Sequence, residues 1–292
     1  MRQGGIFSSR CKAGKAHNYR IFIYAQYNSF LMNPETAPTP APKAPTRGGI
    51  VRHAGRAARA TRSPVTLSID VGGSGIKAML LDARGKPISD RERIVTPAAP
   101  TPRAVLPVLD DLRARLAGFD RVSVGFPGVV KHGITLVAAN LHPKWKNFPL
   151  ERELEKRWKK PVRVENDAAV QGYGAVKGHG VEMILTFGTG MGSAIFTDGK
   201  LCPGLELGHH PWREKTYEDY LGRRGLDKYG KKHWNKRLLE AIEQTAATFN
   251  WDHLYLGGGN TKKINFKLPK NVTIVSNADG ILGGVALWRA QS

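Results

Sequence analysis

Two glycine-rich loops carry the first chemistry this sequence can do. The run Asp70-Val71-Gly72-Gly73-Ser74-Gly75-Ile76-Lys77 joins two apolar segments. Adjacent glycines let a backbone approach an anion closely and aim N–H groups at it. Asp70, at a strand end, can hold Mg²⁺ directly or through water, and Lys77 adds charge near a phosphate. A plain hairpin turn would carry the same glycines, but it needs no leading Asp. Phe187 to Ala194, containing Gly188-Thr189-Gly190-Met191-Gly192, offers a second set of backbone donors. Phosphoryl transfer grips its donor mainly by positioning and electrostatics, which two such loops can supply from opposite sides. A third run, Gly257-Gly258-Gly259-Asn260, follows a strand. It either touches the donor's tail or makes a tight connection.

Two acidic motifs complete the set. Glu165-Asn166-Asp167 lies between a strand and a helix. A carboxylate there can accept a proton from a hydroxyl that attacks phosphorus, although Asn and Asp also suit a helix N-cap. Glu206-Leu207-Gly208-His209 places a carboxylate and an imidazole together on a loop. Both suit hydrogen bonds to vicinal hydroxyls. A metal pair with His210, or a plain surface turn, stays open, and no matching Cys/His cluster follows.

The surrounding pattern says how these motifs are held. Val65–Val71 reads as a strand, Ile76–Leu81 as a second, and Pro87–Val95 as a third after the Arg84-Gly85 turn. Ala104–Leu116 has helical spacing, Val122–Phe126 and Ile134–Ala138 read as strands, and Leu150–Trp158 as an amphipathic helix. Val162–Glu165 is another strand with a helix beyond it. Then the opening theme returns: strand Met183–Phe187, a glycine loop, strand Ser193–Thr197 and the Asp198-Gly199 turn. Strand, glycine loop, strand and Gly-Lys turn thus occur twice, which reads as duplication of a lobe. Helices follow around Thr216–Leu221 and Lys232–Thr248, strands at His253–Leu256 and Val272–Ser276, and a final helix over about Ile281–Arg289. The alternation argues α/β.

Charge and composition narrow the class. The chain of 292 residues has a formal net charge of +21. Residues 1–63 hold eleven Lys/Arg and one acid, so the remainder is strongly basic on its own. A positive field attracts polyanions. No run of 18 apolar residues exists, so no membrane span is expected. The two cysteines, Cys11 and Cys202, make a disulfide framework a poor fit and suit a reducing, cytoplasmic setting. Residues 1–63 are Pro/Ala/Thr-rich and then Arg/Ala-rich, and are expected to be a disordered basic extension. A start at Met32 or later, a transit peptide and a polyanion-binding tail are its three readings.

These motifs in this order resemble the ROK family of sugar kinases. The resemblance runs from about Leu67 to Trp288 and rests on Asp70…Lys77, Glu165-Asn166-Asp167, Phe187…Ala194 and Glu206…His209. Asn140-Leu141-His142-Pro143-Lys144-Trp145 also resembles a sugar-contacting segment of the family. The resemblance implies an actin-like ATPase (ribonuclease H-like) fold of two duplicated lobes with a cleft between them. The expected lobes are 64–163, completed by a C-terminal helix over 280–292, and 164–279. Asp167 would be the general base at the 6-hydroxyl of glucose. Asn140, Asn166, Glu206 and His209 would hold other hydroxyls. Gly72, Gly73, Ser74, Lys77, Gly188, Thr189, Gly190 and Gly258 would face the phosphate donor, with Asp70 toward Mg²⁺. A homodimer would fit the family.

The sequence departs from the family at one place. Many members follow Glu-x-x-His with a cysteine cluster that binds zinc. Tyr217-Glu218-Asp219-Tyr220-Leu221-Gly222-Arg223-Arg224-Gly225-Leu226-Asp227-Lys228 has no cysteine, so no zinc is expected. Lys228 stands where zinc-bearing members often carry a sugar-binding glutamate, which leaves the contact at the anomeric end open. The zinc-free form resembles the branch that uses inorganic polyphosphate. Arg213 to Arg237 contains nine Lys/Arg against four acids. Arg223, Arg224, Lys231, Lys232 and Lys236 would form a track for that polyanion, as basic residues do along a nucleic-acid backbone. A solvated amphipathic helix is the plainer account. Within the enzyme class, ATP as donor and mannose as acceptor stay open. The reading from another class is a non-catalytic sugar-sensing regulator that binds nucleic acid. Residues 1–63 lack a complete helix-turn-helix pattern, so a nucleic-acid partner is not expected.

Overall fold

The computed structural model describes residues 62–138, 141–276 and 279–289, all within one compact unit. The readings of the N-terminal extension and of Asn140 fall outside these residues. The first run of elements comprises β1 (Thr66–Val71), β2 (Ile76–Leu81), β3 (Glu92–Ile94), α1 (Pro102–Arg115) and β4 (Arg121–Phe126). Next come β5 (Val129–Lys131), β6 (Ile134–Val137), α2 (Leu150–Trp158), β7 (Val162–Asn166) and α3 (Asp167–Ala175). The second run is β8 (Val181–Phe187), β9 (Met191–Thr197), β10 (Lys200–Leu201), β11 (Pro211–Trp212), β12 (Lys215–Thr216), α4 (Tyr217–Leu221), α5 (Arg223–Phe249), β13 (His253–Gly257), β14 (Val272–Ile274) and α6 (Asp279–Leu282).

The two runs build two sheets of one design. Their strand orders are β3-β2-β1-β4-β7 and β10-β9-β8-β13-β14. In each, an antiparallel hairpin around a glycine loop is followed by parallel strands: β1 with β2 and β4, β8 with β9 and β13. The duplication read from the sequence is therefore a duplication of topology. β1 is central in its sheet and almost wholly buried, which is why Thr66 to Val71 reads as a near-continuous rather than alternating run.

Each sheet has its own core. Leu67, Ile69, Val124 and Phe126 meet Val105, Leu109 and Leu112 of α1 and Leu150 and Leu154 of α2. α1 starts at Pro102 behind the Thr101 cap, whose hydroxyl accepts from the Ala104 N–H. Leu150, Leu154 and Trp158 recur at four-residue spacing, so one face of α2 is buried. Beneath the second sheet, Met183, Leu185, Phe187 and Leu254 pack on Trp234, Leu238 and Ile242 of α5. Burying one such Leu or Phe contributes about 1.5–3 kcal/mol. α3 lies against β8 and β9 on one side and against the C-terminal segment on the other. A Cβ at Gly172 would enter the Phe196 ring, so α3 needs glycine to approach the second sheet.

Three elements differ from the sequence reading. The third strand shrinks to Glu92–Ile94, with Pro87 only bridging Leu81; proline offers no N–H to extend the ladder. The helix read as Lys232–Thr248 begins at Arg223 and is interrupted at Gly230, where φ is 75°. The final helix becomes a short α6 and a 3₁₀ turn over Gly283–Trp288. Gly283 and Gly284 let this backbone press on α3 and β1. Ser68 Oγ donates to Ile281 O and Ser123 Oγ to Gly284 O, each at 2.6 Å. Those carbonyls are thereby satisfied outside an α-helical ladder. Among the described residues, no helix is long and apolar enough to cross a membrane.

Candidate active site

The carboxyl ends of β1, β4 and β7 and the start of β9 open on one cleft of about 650 Å³. Ligands commonly bind at such strand ends in α/β sheets. Asp70, Gly72, Gly73, Ser74 and Lys77 line one wall, and Gly188, Thr189, Gly190 and Gly258 another. Asn166 and Asp167 lie on its floor, with Glu206 and His209 at the side. Every site residue read from sequence within the described part, the basic track aside, borders this cleft. Of that track only Arg223 lines it. Arg224, Lys231, Lys232 and Lys236 are exposed on α5.

The two loops are braced rather than loose. Gly72 N–H donates to Gly75 O at 3.2 Å, and Thr96 Oγ1 donates to Gly72 O at 2.5 Å. Arg93 donates to Ser74 O at 3.0 Å and packs where a Gly75 Cβ would stand. In the second loop, Gly188 N–H donates to Gly190 O at 3.0 Å. Asn260 Nδ2 and the Arg223 N–H both donate to Gly188 O at 3.0 Å. Gly258 adopts φ 86° against the Phe187 backbone, a conformation and an approach that only glycine tolerates.

Asp70 and Lys77 face each other across the β1–β2 pair, with Nζ to Oδ2 at 2.8 Å. Asn166 caps α3: its Oδ1 accepts from the Ala169 N–H at 3.1 Å, and its Nδ2 donates to Gly128 O at 3.1 Å. The capping role weighed from sequence is therefore real for Asn166, while its spare lone pair and N–H still border the cleft. Asp167 is the first residue of α3, and its Oδ1 accepts from the Ala168 N–H at 2.8 Å. Burial raises its pKa to about 7, aided by the nearby Asp70 and Glu206 carboxylates and opposed by the Ala168 N–H. Glu165 turns away and borders a small side cavity with Ser193, Cys202 and Glu206. Burial also holds its pKa above the ordinary carboxylate range.

Glu206 precedes and His209 ends a 3₁₀ turn that Gly208 seats on the Met191 carbonyl. Ser193 fixes the same turn, donating to Leu205 O at 2.7 Å and accepting from the Leu207 N–H at 3.2 Å. Burial raises the Glu206 pKa, His209 lowers it, and Glu218 raises it. Glu218 was missed by the motif reading. It lines the cleft, lies 4.0 Å from His209 Nε2, and accepts from the Met191 N–H at 3.0 Å. A carboxylate in the first turn of a helix nine residues after His209 was its only sequence signal. Among the described residues, no group of three or more His, Cys, Asp or Glu could enclose a metal ion.

A duplicated mixed sheet, two glycine loops and a half-buried carboxylate between them define an actin-like phosphotransferase cleft. A family model described as ROK family matches residues 66–226, and this chain belongs to that family. It is 32% identical to a polyphosphate glucokinase of Mycobacterium leprae, over 94% of this chain and 89% of the relative. It is 34% identical to a polyphosphate glucokinase of Mycobacterium tuberculosis, over 72% of this chain and 81% of that protein. The crystal structure of an inorganic polyphosphate/ATP-glucomannokinase from Arthrobacter superposes with a TM-score of 0.73 at 29% identity. That match covers 78% of this chain and all of the other.

Proposed function

We propose that this protein is a glucokinase that transfers a phosphoryl group from inorganic polyphosphate, and also from ATP, to the 6-hydroxyl of glucose. The observation that carries the reading is Asp167: a carboxylate with a pKa near 7, at a helix start, on the floor of a cleft between two glycine loops. A base works best when its pKa lies near the working pH. Asp167 takes the proton of the 6-hydroxyl as that oxygen attacks the donor's terminal phosphorus. The bond from this phosphorus to its bridging oxygen breaks, and Asp167 later returns its proton to solvent.

Glu206, His209 and Asn166 hold the other hydroxyls and fix the attack direction. Such positioning supplies much of the rate in phosphoryl transfer. The N–H groups of Gly73, Ser74, Thr189 and Gly190 hold the donor phosphates on loops that the Gly72 and Gly188 N–H groups brace, and Lys77 and Arg223 add charge. Asp70 is the residue that would hold Mg²⁺. Lys77 engages Oδ2 of this carboxylate at 2.8 Å, so its other oxygen would be the one offered to an oxygen-seeking ion that keeps several waters. An ion held there would supply positive charge that offsets that of the phosphate oxygens. Exposed cations on α5 extend the positive wall for a long polyanion. The names of the polyphosphate-using relatives support this choice of donor.

The test is direct. Purified protein receives glucose, Mg²⁺ and either polyphosphate or ATP, and glucose 6-phosphate is followed with a coupled dehydrogenase. Turnover with polyphosphate exceeding that with ATP is expected. Turnover with ATP alone would refute the donor, and no product with either would refute the kinase.

A further inference from the structure

A second concentration of charge lies at the end of the first sheet away from the cleft. Arg121 is the first residue of β4 and Arg163 the second of β7, beside Thr66 at the start of β1. The cleft opens at the carboxyl ends of these strands. The six residues of β1 therefore separate the two places by roughly 17 Å at the usual strand rise. The C-terminal segment brings a third guanidinium, Arg289, and an indole. Arg121 Cζ stands 5.0 Å and Arg163 Cζ 4.4 Å from the centre of the Trp288 ring.

Each arginine spends one donor on an uncharged oxygen. Arg121 Nε donates to Thr66 Oγ1 at 2.8 Å, Arg163 donates to Leu287 O, and Arg289 donates to Ala83 O at 2.8 Å. Among the described residues, none of the three forms a salt bridge. The acids nearby are committed elsewhere. Asp120 accepts the Val65 N–H and pairs with Arg62, and Glu151 accepts the Val164 N–H. The crowding is felt at Arg121: burial and the charges of Arg163 and Arg289 hold its pKa below the ordinary value, with Asp120 opposing. Arg121 and Arg163 are half-buried and Arg289 is exposed. Among the described residues, only Arg237 seals an unpartnered side-chain nitrogen from solvent, so the spare N–H groups of Arg121 and Arg163 can be reached.

We infer that Arg121, Arg163 and Arg289 form a second oxyanion site, outside the transfer cleft, that takes the phosphates of an inorganic phosphate chain. Like charges brought together repel, and a multiply charged anion among them removes that cost. A guanidinium laid on an indole keeps its edge N–H groups free, and such edges match phosphate oxygens in pairs. One carboxylate would neutralise one of the three charges, whereas consecutive phosphates neutralise all of them. The site does not depend on the role given to Asp167. A chain bound there ties Arg289 and the C-terminal segment to β4 and β7, and that segment packs on α3.

The probe is tripolyphosphate, added to the wild-type protein without glucose or Mg²⁺. The protein carries ¹⁵N-tryptophan at its six tryptophans, and the Trp288 indole signal is the one missing from Trp288→Phe. Tripolyphosphate is expected to shift that signal saturably, and sodium sulfate at equal ionic strength is not. In Arg121→Gln/Arg289→Gln the Kd read from this signal should rise at least about tenfold, as when charge-assisted hydrogen bonds are lost. Because both residues lie far from the cleft, kcat for glucose phosphorylation should stay within about twofold. A Trp288 signal that ignores tripolyphosphate overturns the site in the wild type, where no variant has to fold. A shift that sulfate reproduces, that survives the double substitution, or that only a DNA oligonucleotide produces overturns it as well. A saturable shift in a protein that forms no glucose 6-phosphate would support this site and sink the kinase reading alone.

Discussion

Asp167, the base proposed above, would serve catalysis at the expense of the fold. Its pKa of about 7 lies above the ordinary value of 3.8. As pH rises, the unfolded chain loses this proton first, so the native state is progressively disfavoured from about pH 4 to pH 7. Below that window the group contributes stability, and above it the contribution is gone. Asp167→Asn keeps the side chain neutral at every pH and retains an oxygen for the Ala168 N–H. At pH 8 it should raise stability by about 1–2 kcal/mol, discounted for the open cleft, while turnover falls by at least about a thousandfold. Thermal melts at pH 5 and pH 8 separate the effects: the gain should be full at pH 8 and fall to about a third of that at pH 5. In the wild type, kcat should rise with pH through about 7, because the base must be ionised. At this scale the sequence was informative where motifs are contiguous. Asp70, Asp167, Glu206 and His209 all border the cleft. Glu218 and Arg93 escaped notice because each reaches its loop through tertiary contacts that no short motif encodes.

Elements matter here through how closely their backbones approach. α3 carries Asp167 at its first residue and is wedged between the second sheet and the C-terminal segment. The repeat of strand, loop and strand was legible because hairpin glycines and apolar runs are local signals. The C-terminal turn was not legible as 3₁₀. Its apolar spacing suits an α-helix, but the hydroxyls that divert its carbonyls belong to Ser68 and Ser123, far away in sequence. Gly283 tests this packing. A Cβ there would overlap Val170 O, which is rigid helix backbone rather than a yielding side chain. Gly283→Ala should therefore cost about 1–3 kcal/mol and lower the Tm by several degrees. Because the strain falls on α3 beside Asp167, kcat should drop more than KM rises. A variant that melts and turns over like the wild type would show that this contact is slack.

Across the whole molecule the dominant feature is charge. The net +21 is spread over residues 1–63 and the rest of the chain alike, and the track proposed for polyphosphate draws on only a few of these cations. Arg223 is on the cleft wall, and α5 continues from it to Lys231, Lys232 and Lys236 beyond the break at Gly230. ATP ends after three phosphates and gains little from cations farther along. A long polyanion releases counterions at each phosphate it pairs, so every cation on its path adds affinity and salt dependence. Replacing Lys231, Lys232 and Lys236 together by Gln should therefore raise the KM for long-chain polyphosphate about tenfold or more. The KM for ATP should change less than about twofold. The slope of log KM for polyphosphate against log salt should also flatten, because up to three phosphate contacts are lost. Exposed lysines contribute little to stability, so unchanged melting would tie the effect to donor binding. Equal losses for both donors, or an unchanged salt slope, would mean that the chain leaves the cleft by another face.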